Sequence, residues 1–189
     1  MGVFSSGGVG IDLGSANVTI FLDGEGVVLR EPSYVLALRD DPDKVLACGR
    51  DARQMLGRTP QEAVLLSPVM DGAVADISTT ATLLRALSEK ALGRRRALER
   101  TRVVVSVSQG VTNVERAALE AAVKSLGARR AALVRSPIAA AIGAGVSISE
   151  PKGVMLVNVG GSTTEVSVIS MNGVAASRST RTGSMALDE

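Results

Sequence analysis

The sequence predicts an α/β fold in which a mixed β-sheet is flanked by helices, followed by a second, incomplete domain. Short β-branched runs alternate with longer stretches of helical periodicity, which is typical of this class. Asp23-Gly24 and Asn172-Gly173 each separate two apolar runs, and such dipeptides indicate hairpins, so the sheet is not wholly parallel. A glycine-rich turn occurs twice along the chain.

The strands are predicted from runs of valine, isoleucine, leucine and threonine that are bounded by turn residues. Two pairs of these runs are expected to form hairpins, namely 18–22 with 27–29 and 163–170 with 174–179. Further strands are expected at residues 8–13, 33–38, 102–107, 131–134 and 153–158.

Three longer helices are predicted between the strands, together with a short one at residues 50–56. Asp76 or Ser78 caps a helix that runs to about Leu92, and Thr112 caps a helix over residues 113–126. Pro137 begins a third helix that runs to residue 145. The apolar stripe of the second helix is expected to contain Val114, Ala117, Ala118, Ala121, Ala122 and Leu126.

The composition excludes several classes of function. Only 2% of the 189 residues are aromatic, so the core must be built from aliphatic side chains. The net charge is +2, which gives no reason to expect nucleic acid as a partner. The chain has no histidine, the commonest metal ligand and general base, and its single cysteine, Cys48, suits a reducing cytoplasm.

The two glycine-rich turns lie in matching contexts, 146 residues apart when Asn158 is compared with Asp12. Each follows a strand, passes through small polar residues and leads into a hairpin. We interpret them as two copies of one domain. The first copy is expected at residues 1–150, with a small insertion at about 33–75, and the second at 151–189, truncated at its end. Chance similarity of two glycine-rich turns is the alternative.

Such turns are suited to binding phosphates. Glycine lets the backbone approach a ligand closely, so that several N–H groups can converge on one anion. An aspartate at the end of the first strand, Asp12, would hold a divalent cation that bridges the phosphates. The candidate nucleotide-binding residues are therefore Gly14, Ser15, Ala16 and Asn17 in the first turn and Gly160, Gly161, Ser162 and Thr163 in the second.

These segments resemble the two phosphate loops of the MreB family of bacterial actin homologues. The loops are GIDLGSAN at residues 10–17 and GGSTTE at 160–165. Other segments similar to that family are EPS at 31–33, GRTP at 57–60, DGAVAD at 71–76, GVTNVER at 110–116 and PIAAAIGAG at 137–145. The matches occur in order along nearly the whole chain and separate this family from the sugar kinases and DnaK-type chaperones of the same superfamily.

The resemblance implies the actin-like ATPase fold, two ribonuclease-H-like domains around a cleft that binds ATP and Mg²⁺. It also implies a cytoplasmic protein, peripheral to the inner membrane, that assembles with itself into filaments. Its expected partners are the inner membrane surface and the membrane proteins of wall synthesis, through which the family maintains rod shape. Val3 and Phe4 could form a membrane-touching tip, although a frayed terminus is the simpler interpretation.

Four positions depart from the family pattern. Ser136 stands where the family has the glutamate that positions the attacking water, and Asn158 stands where the second loop has an aspartate. Ser162 replaces a third glycine, and Met185 replaces an aspartate that follows Gly183. Since serine is a poor base and asparagine carries no charge, we expect the catalytic positions Ser136 and Asn158 to support weak ATPase activity at most.

Two other classes of function stay open at this point. A small-molecule kinase of the same superfamily would need a catalytic carboxylate and a substrate pocket, for which the sequence gives no candidate. A degenerate adaptor that works without nucleotide stays possible because of the changes at Ser136 and Asn158.

Overall fold

The computed structural model describes residues 8–70 and 72–187, so that Val3, Phe4 and Asp71 lie outside the described residues. The strands are β1 (Val9–Leu13), β2 (Asn17–Leu22), β3 (Gly26–Pro32), β4 (Val35–Leu38), β5 (Val45–Cys48), β6 (Ala63–Leu66), β7 (Val69–Met70), β8 (Ala73–Val74), β9 (Arg102–Val107), β10 (Arg130–Arg135), β11 (Val154–Val159), β12 (Thr164–Ser170) and β13 (Gly173–Thr180). The helices are α1 (Arg50–Arg53), α2 (Ile77–Leu92), α3 (Asn113–Ser125), α4 (Ser136–Gly143) and a 3₁₀ turn, Ser184–Leu187.

The central sheet has five strands in the order β10-β9-β1-β2-β3. β1 is antiparallel to β2 and parallel to β9, so the predicted mixed sheet is confirmed. Apolar side chains that alternate along β1, β2 and β9 pack against α2 and α3 to form the main core. Its buried members include Val9, Ile11, Val18, Ile20, Leu83, Leu84, Leu87, Val103, Val105, Leu119 and Val123.

The long helices begin at the predicted caps. The Asp76 carboxylate accepts the N–H of Thr79 at 2.6 Å, and α2 ends at Gly93 in the left-handed region with φ 63°. Thr112 and Glu115 form a reciprocal capping box at the start of α3. The predicted stripe of α3 was partly wrong. Ala122 is buried as predicted, but Val114 is 79% exposed, and the helix also buries Leu119 and Val123, which were not predicted.

Residues 35–74 hold a separate three-stranded sheet, in the order β5-β4-β6, and the short pair β7-β8. Only β4 was predicted. None of these strands has more than four residues, and β6 is paired with β4 across a long stretch of chain, as Leu66 pairs with Val35. The short helix predicted at 50–56 is helical only over Arg50–Arg53 and continues as a turn.

A second meander, in the order β11-β12-β13, repeats the order β1-β2-β3. Asp12 pairs with Thr19 in the first meander, and Asn158 pairs with Glu165 in the second, so the 146-residue spacing holds in the strand register. The two meanders differ in their surroundings, because Ile11 is 2% exposed whereas its counterpart Val157 is 55% exposed. No helix among the described residues is both long and apolar enough to cross a membrane.

Candidate functional site

The first glycine-rich turn connects β1 to β2 through Gly14, Ser15 and Ala16. The N–H of Gly14 donates to the carbonyl of Asn17 at 3.1 Å, which closes the turn. A Cβ added to Gly14 would lie 2.9 Å from that same carbonyl oxygen, so the tight closure depends on glycine here.

Ser33 supports this turn from behind. Its fully buried hydroxyl donates to the carbonyl of Gly14 at 2.5 Å, and its N–H donates to the carbonyl of Ala16 at 3.1 Å. The preceding strand β3 carries Glu31, whose buried carboxylate accepts the N–H of Arg50 at 2.6 Å and pairs with the Lys90 ammonium at 2.8 Å. Ser33 thus holds the turn directly, while Glu31 ties β3, the strand before Ser33, to Arg50 and Lys90.

The second turn, between β11 and β12, has the same construction. The N–H of Gly160 donates to the carbonyl of Thr163 at 2.8 Å, which is the bond of Gly14 and Asn17 shifted by 146 residues. The carbonyls of Gly160 and Gly161 accept the N–H groups of Ser184 and Met185, each at 2.9 Å. The 3₁₀ turn thus covers the outer side of this loop.

The two turns meet directly. The Ser15 hydroxyl oxygen accepts the N–H of Ser162 at 3.2 Å and the hydroxyl of Ser162 at 2.7 Å. A Cβ added to Gly161 would lie 2.7 Å from the Cβ of Ala16, so Gly161 and Ala16 approach each other closely. The structure therefore brings the two predicted loops together, as two parts of a single site require.

Asp12 and Asn158 occupy equivalent places at the ends of β1 and β11. Asp12 is exposed and accepts a hydrogen bond from the Ser106 hydroxyl on the neighbouring strand β9. Within residues 8–70 and 72–187, the structure contains no cluster of three or more His, Cys, Asp or Glu side chains that could hold a metal ion. A cation beside Asp12 would therefore take most of its ligands from phosphate oxygens and water.

Glu165 was given no role from the sequence, although it lies at the centre of a buried polar cluster. Its carboxylate is 2% exposed and accepts hydrogen bonds from the Ser108 hydroxyl at 2.5 Å, the Gln109 N–H at 2.8 Å and the Ser136 hydroxyl at 2.7 Å. The hydroxyl of Ser136, the predicted catalytic position, is therefore already hydrogen-bonded to Glu165. The sequence of β12 contained no signal for this cluster, because its alternation predicts a buried Val166 and an exposed Glu165, whereas the structure buries Glu165 and Ser167 and exposes Val166.

The sequence profile of the MreB/Mbl protein family matches residues 6–189. The chain belongs to this family. It is 45% identical to the cell shape-determining protein MreB of Escherichia coli K12 over 192 aligned positions, which cover 100% of this chain and 55% of that protein. It is 42% identical to the cell shape-determining protein Mbl of Bacillus subtilis, covering 90% of this chain and 51% of that protein.

Solved structures of the MreB family have the same fold. MreB 5 of Spiroplasma citri bound to AMPPNP superposes with a TM-score of 0.88 and 30% sequence identity, covering 97% of this chain and 55% of that one. The same protein bound to ADP superposes with a TM-score of 0.85. These matches confirm the predicted actin-like fold, and the chain spans about half the length of the MreB relatives that it matches.

Proposed function

We propose that the chain acts as an actin-like, cell-shape-determining protein and that its two loops bind the phosphates of ATP. The observation that carries this proposal is that the two turns contact each other through the hydrogen bonds between Ser15 and Ser162. Both turns are closed by the same backbone bond, made by Gly14 in the first and by Gly160, 146 residues later, in the second. The names of the curated relatives and the nucleotides bound to MreB 5 support it.

The donors of these loops fit a phosphate chain. Hydroxyl groups of Ser15 and Thr163 lie beside backbone N–H groups in a region of small residues, an arrangement that suits an anion. The other loop residues carry no charge, and they would let the backbone lie close to the phosphates. They are Gly14, Ala16, Asn17, Gly160 and Gly161.

Mg²⁺ would neutralise phosphate charge, and Asp12 is the residue that would hold it. Asp12 is exposed at the end of β1 and is oriented by Ser106. Its counterpart Asn158 adds no charge, so we expect Mg²⁺ to bind together with nucleotide and only weakly without it. The test is calorimetry of Mg²⁺-ATP binding to Asp12→Asn, with Asp23→Asn in the exposed β2–β3 turn as the control. Equal affinities of the two variants would reject this role of Asp12.

Hydrolysis is expected to be slow. The Ser136 hydroxyl donates to Glu165, and neither Ser136 nor Asn158 supplies a carboxylate that could orient or deprotonate water. We therefore expect the double variant Ser136→Glu, Asn158→Asp to release phosphate from ATP faster than the natural chain. Because the glutamate introduced at position 136 would lie beside the buried Glu165 carboxylate, folding of the double variant is checked by urea unfolding, and equal rates in a folded double variant would reject this account of the two positions.

By the same family membership, we infer that the whole protein assembles with itself into filaments. We further infer that it acts in the cytoplasm, at the inner membrane surface, with membrane proteins of wall synthesis. Sedimentation with and without ATP and Mg²⁺ tests assembly, and flotation with anionic vesicles tests membrane binding. If the chain bound no nucleotide and formed no polymer, the adaptor interpretation would replace this one.

A further inference from the structure

The Ser162 side chain closes the two loops on each other. Its hydroxyl donates to the Ser15 oxygen at 2.7 Å, beside the 3.2 Å bond from its own N–H to the same atom. Both polar hydrogens that Ser162 offers are thus bonded to Ser15. A phosphate that approached these donors would have to replace bonds that the loops already make with each other.

We propose that the Ser162 hydroxyl is a latch that opposes nucleotide binding and sets the affinity of the site. This inference rests on the proposed function, because it concerns the same two loops. The two bonds that Ser162 makes to Ser15 can be separated by substitution. A glycine could keep the N–H bond to Ser15, but it could not make the hydroxyl bond.

The contacts around the latch explain why one hydroxyl matters. Gly161 packs against Ala16, and the 3₁₀ turn is bonded to the carbonyls of Gly160 and Gly161 on the other side. The second loop is therefore held on both sides. The Ser162 hydroxyl bond stabilises a contact between two loops that other contacts already keep in place. An ordinary neutral hydrogen bond changes an equilibrium by about two- to twelvefold.

The test compares Ser162→Ala and Ser162→Gly with the natural chain. The matched control is Ser177→Ala, which removes a hydroxyl bond to Ser167 at 3.1 Å between β12 and β13. Binding of Mg²⁺-ATP and of inorganic tripolyphosphate is measured by calorimetry. We expect both Ser162 variants to bind about two- to twelvefold more tightly and the control to be unchanged. Alanine is the decisive variant, because it removes the hydroxyl without adding the backbone freedom of glycine.

A second measurement needs no nucleotide. Amide hydrogen exchange at residues 160–163 should be faster in Ser162→Ala than in the natural chain, because the loops open more often. Equal or weaker binding by Ser162→Ala would overturn the latch, since the hydroxyl would then be neutral or would itself contact phosphate. If none of the proteins bound either ligand at millimolar concentration, the proposed function would fail. Faster exchange would in that case still establish that the hydroxyl holds the loops together.

Discussion

Replacing Lys90 with methionine tests how much the ion pair between α2 and β3 stabilises the fold. The Lys90 ammonium lies 2.8 Å from the Glu31 carboxylate, whose side chain is 6% exposed, whereas the Lys90 side chain is 49% exposed. Methionine keeps most of the aliphatic length of lysine and removes only the charge and the donors. The variant leaves Glu31 buried with the N–H of Arg50, at 2.6 Å, as its remaining partner.

The size of the effect follows from these contacts. A hydrogen bond to a charged group contributes about 1.5–3 kcal/mol, and the exposure of Lys90 reduces this, so we expect a loss of about 1–2 kcal/mol at pH 7. Burial alone would raise the pKa of Glu31, but the bonds from Lys90 and Arg50 outweigh it and hold the pKa below 4.5. Because the folded-state pKa is lowered, the stabilisation is present above the ordinary pKa and is lost as the pH falls through the folded value.

Urea unfolding followed by circular dichroism at pH 7 and at pH 4 gives the free energies of unfolding. The difference between Lys90→Met and the natural chain should shrink at pH 4. Lys124→Met, an exposed lysine near the end of α3, serves as the control and should change stability by less than about 0.5 kcal/mol. The single variant Glu31→Gln and the double variant Glu31→Gln, Lys90→Met complete a double-mutant cycle. A loss at pH 7 no larger than that of the control would refute the reasoning.

Three further substitutions or reactions test other parts of the structure. Ser33→Ala removes the buried donor to Gly14 and should cost about 1–2 kcal/mol in urea unfolding and weaken ATP binding in calorimetry. Thr112→Ala removes one half of the capping box and should cost about 1 kcal/mol, while the pKa of Glu115, lowered by its bonds from Thr112, should rise when measured by NMR titration. Burial raises the pKa of Cys48 to about 11, so at pH 8 its thiol should react with a disulfide reagent about a hundredfold more slowly in the folded chain than in urea.

The sequence predicted those elements whose signals are local. The starts of α2 and α3 were found because Asp76 and Thr112 cap through bonds to residues three positions later. The β5-β4-β6 sheet was not found as a sheet, because its strands are short and each is stabilised by pairing with distant residues. The stripe of α3 was misread because alanine fits both a buried and an exposed face, and only contact with α2 and β10 decides between them.

The same distinction applies to the candidate site. The repeated turns were visible as a pattern, and from the pattern alone the two loops were expected to face one ligand. The contacts of Glu165 were not visible, because Ser108 and Ser136 reach it from positions 57 and 29 residues away. The sequence also gave no reason to connect Ser162 with Ser15, since that bond depends on how the two meanders pack.

A comparison of the two meanders distinguishes the features of a loop that its own sequence determines from those that the surrounding core determines. The first is covered by α2 and α3, whereas the apolar residues Met155, Val157 and Val159 of β11 are more than half exposed. Even so, the turns close with the same bond, at 3.1 Å after Gly14 and at 2.8 Å after Gly160. The two turns therefore close in the same way in different surroundings. The shape of each loop follows from glycine, small residues and the strand register. The contact between the two loops, in contrast, includes the side chain at position 162.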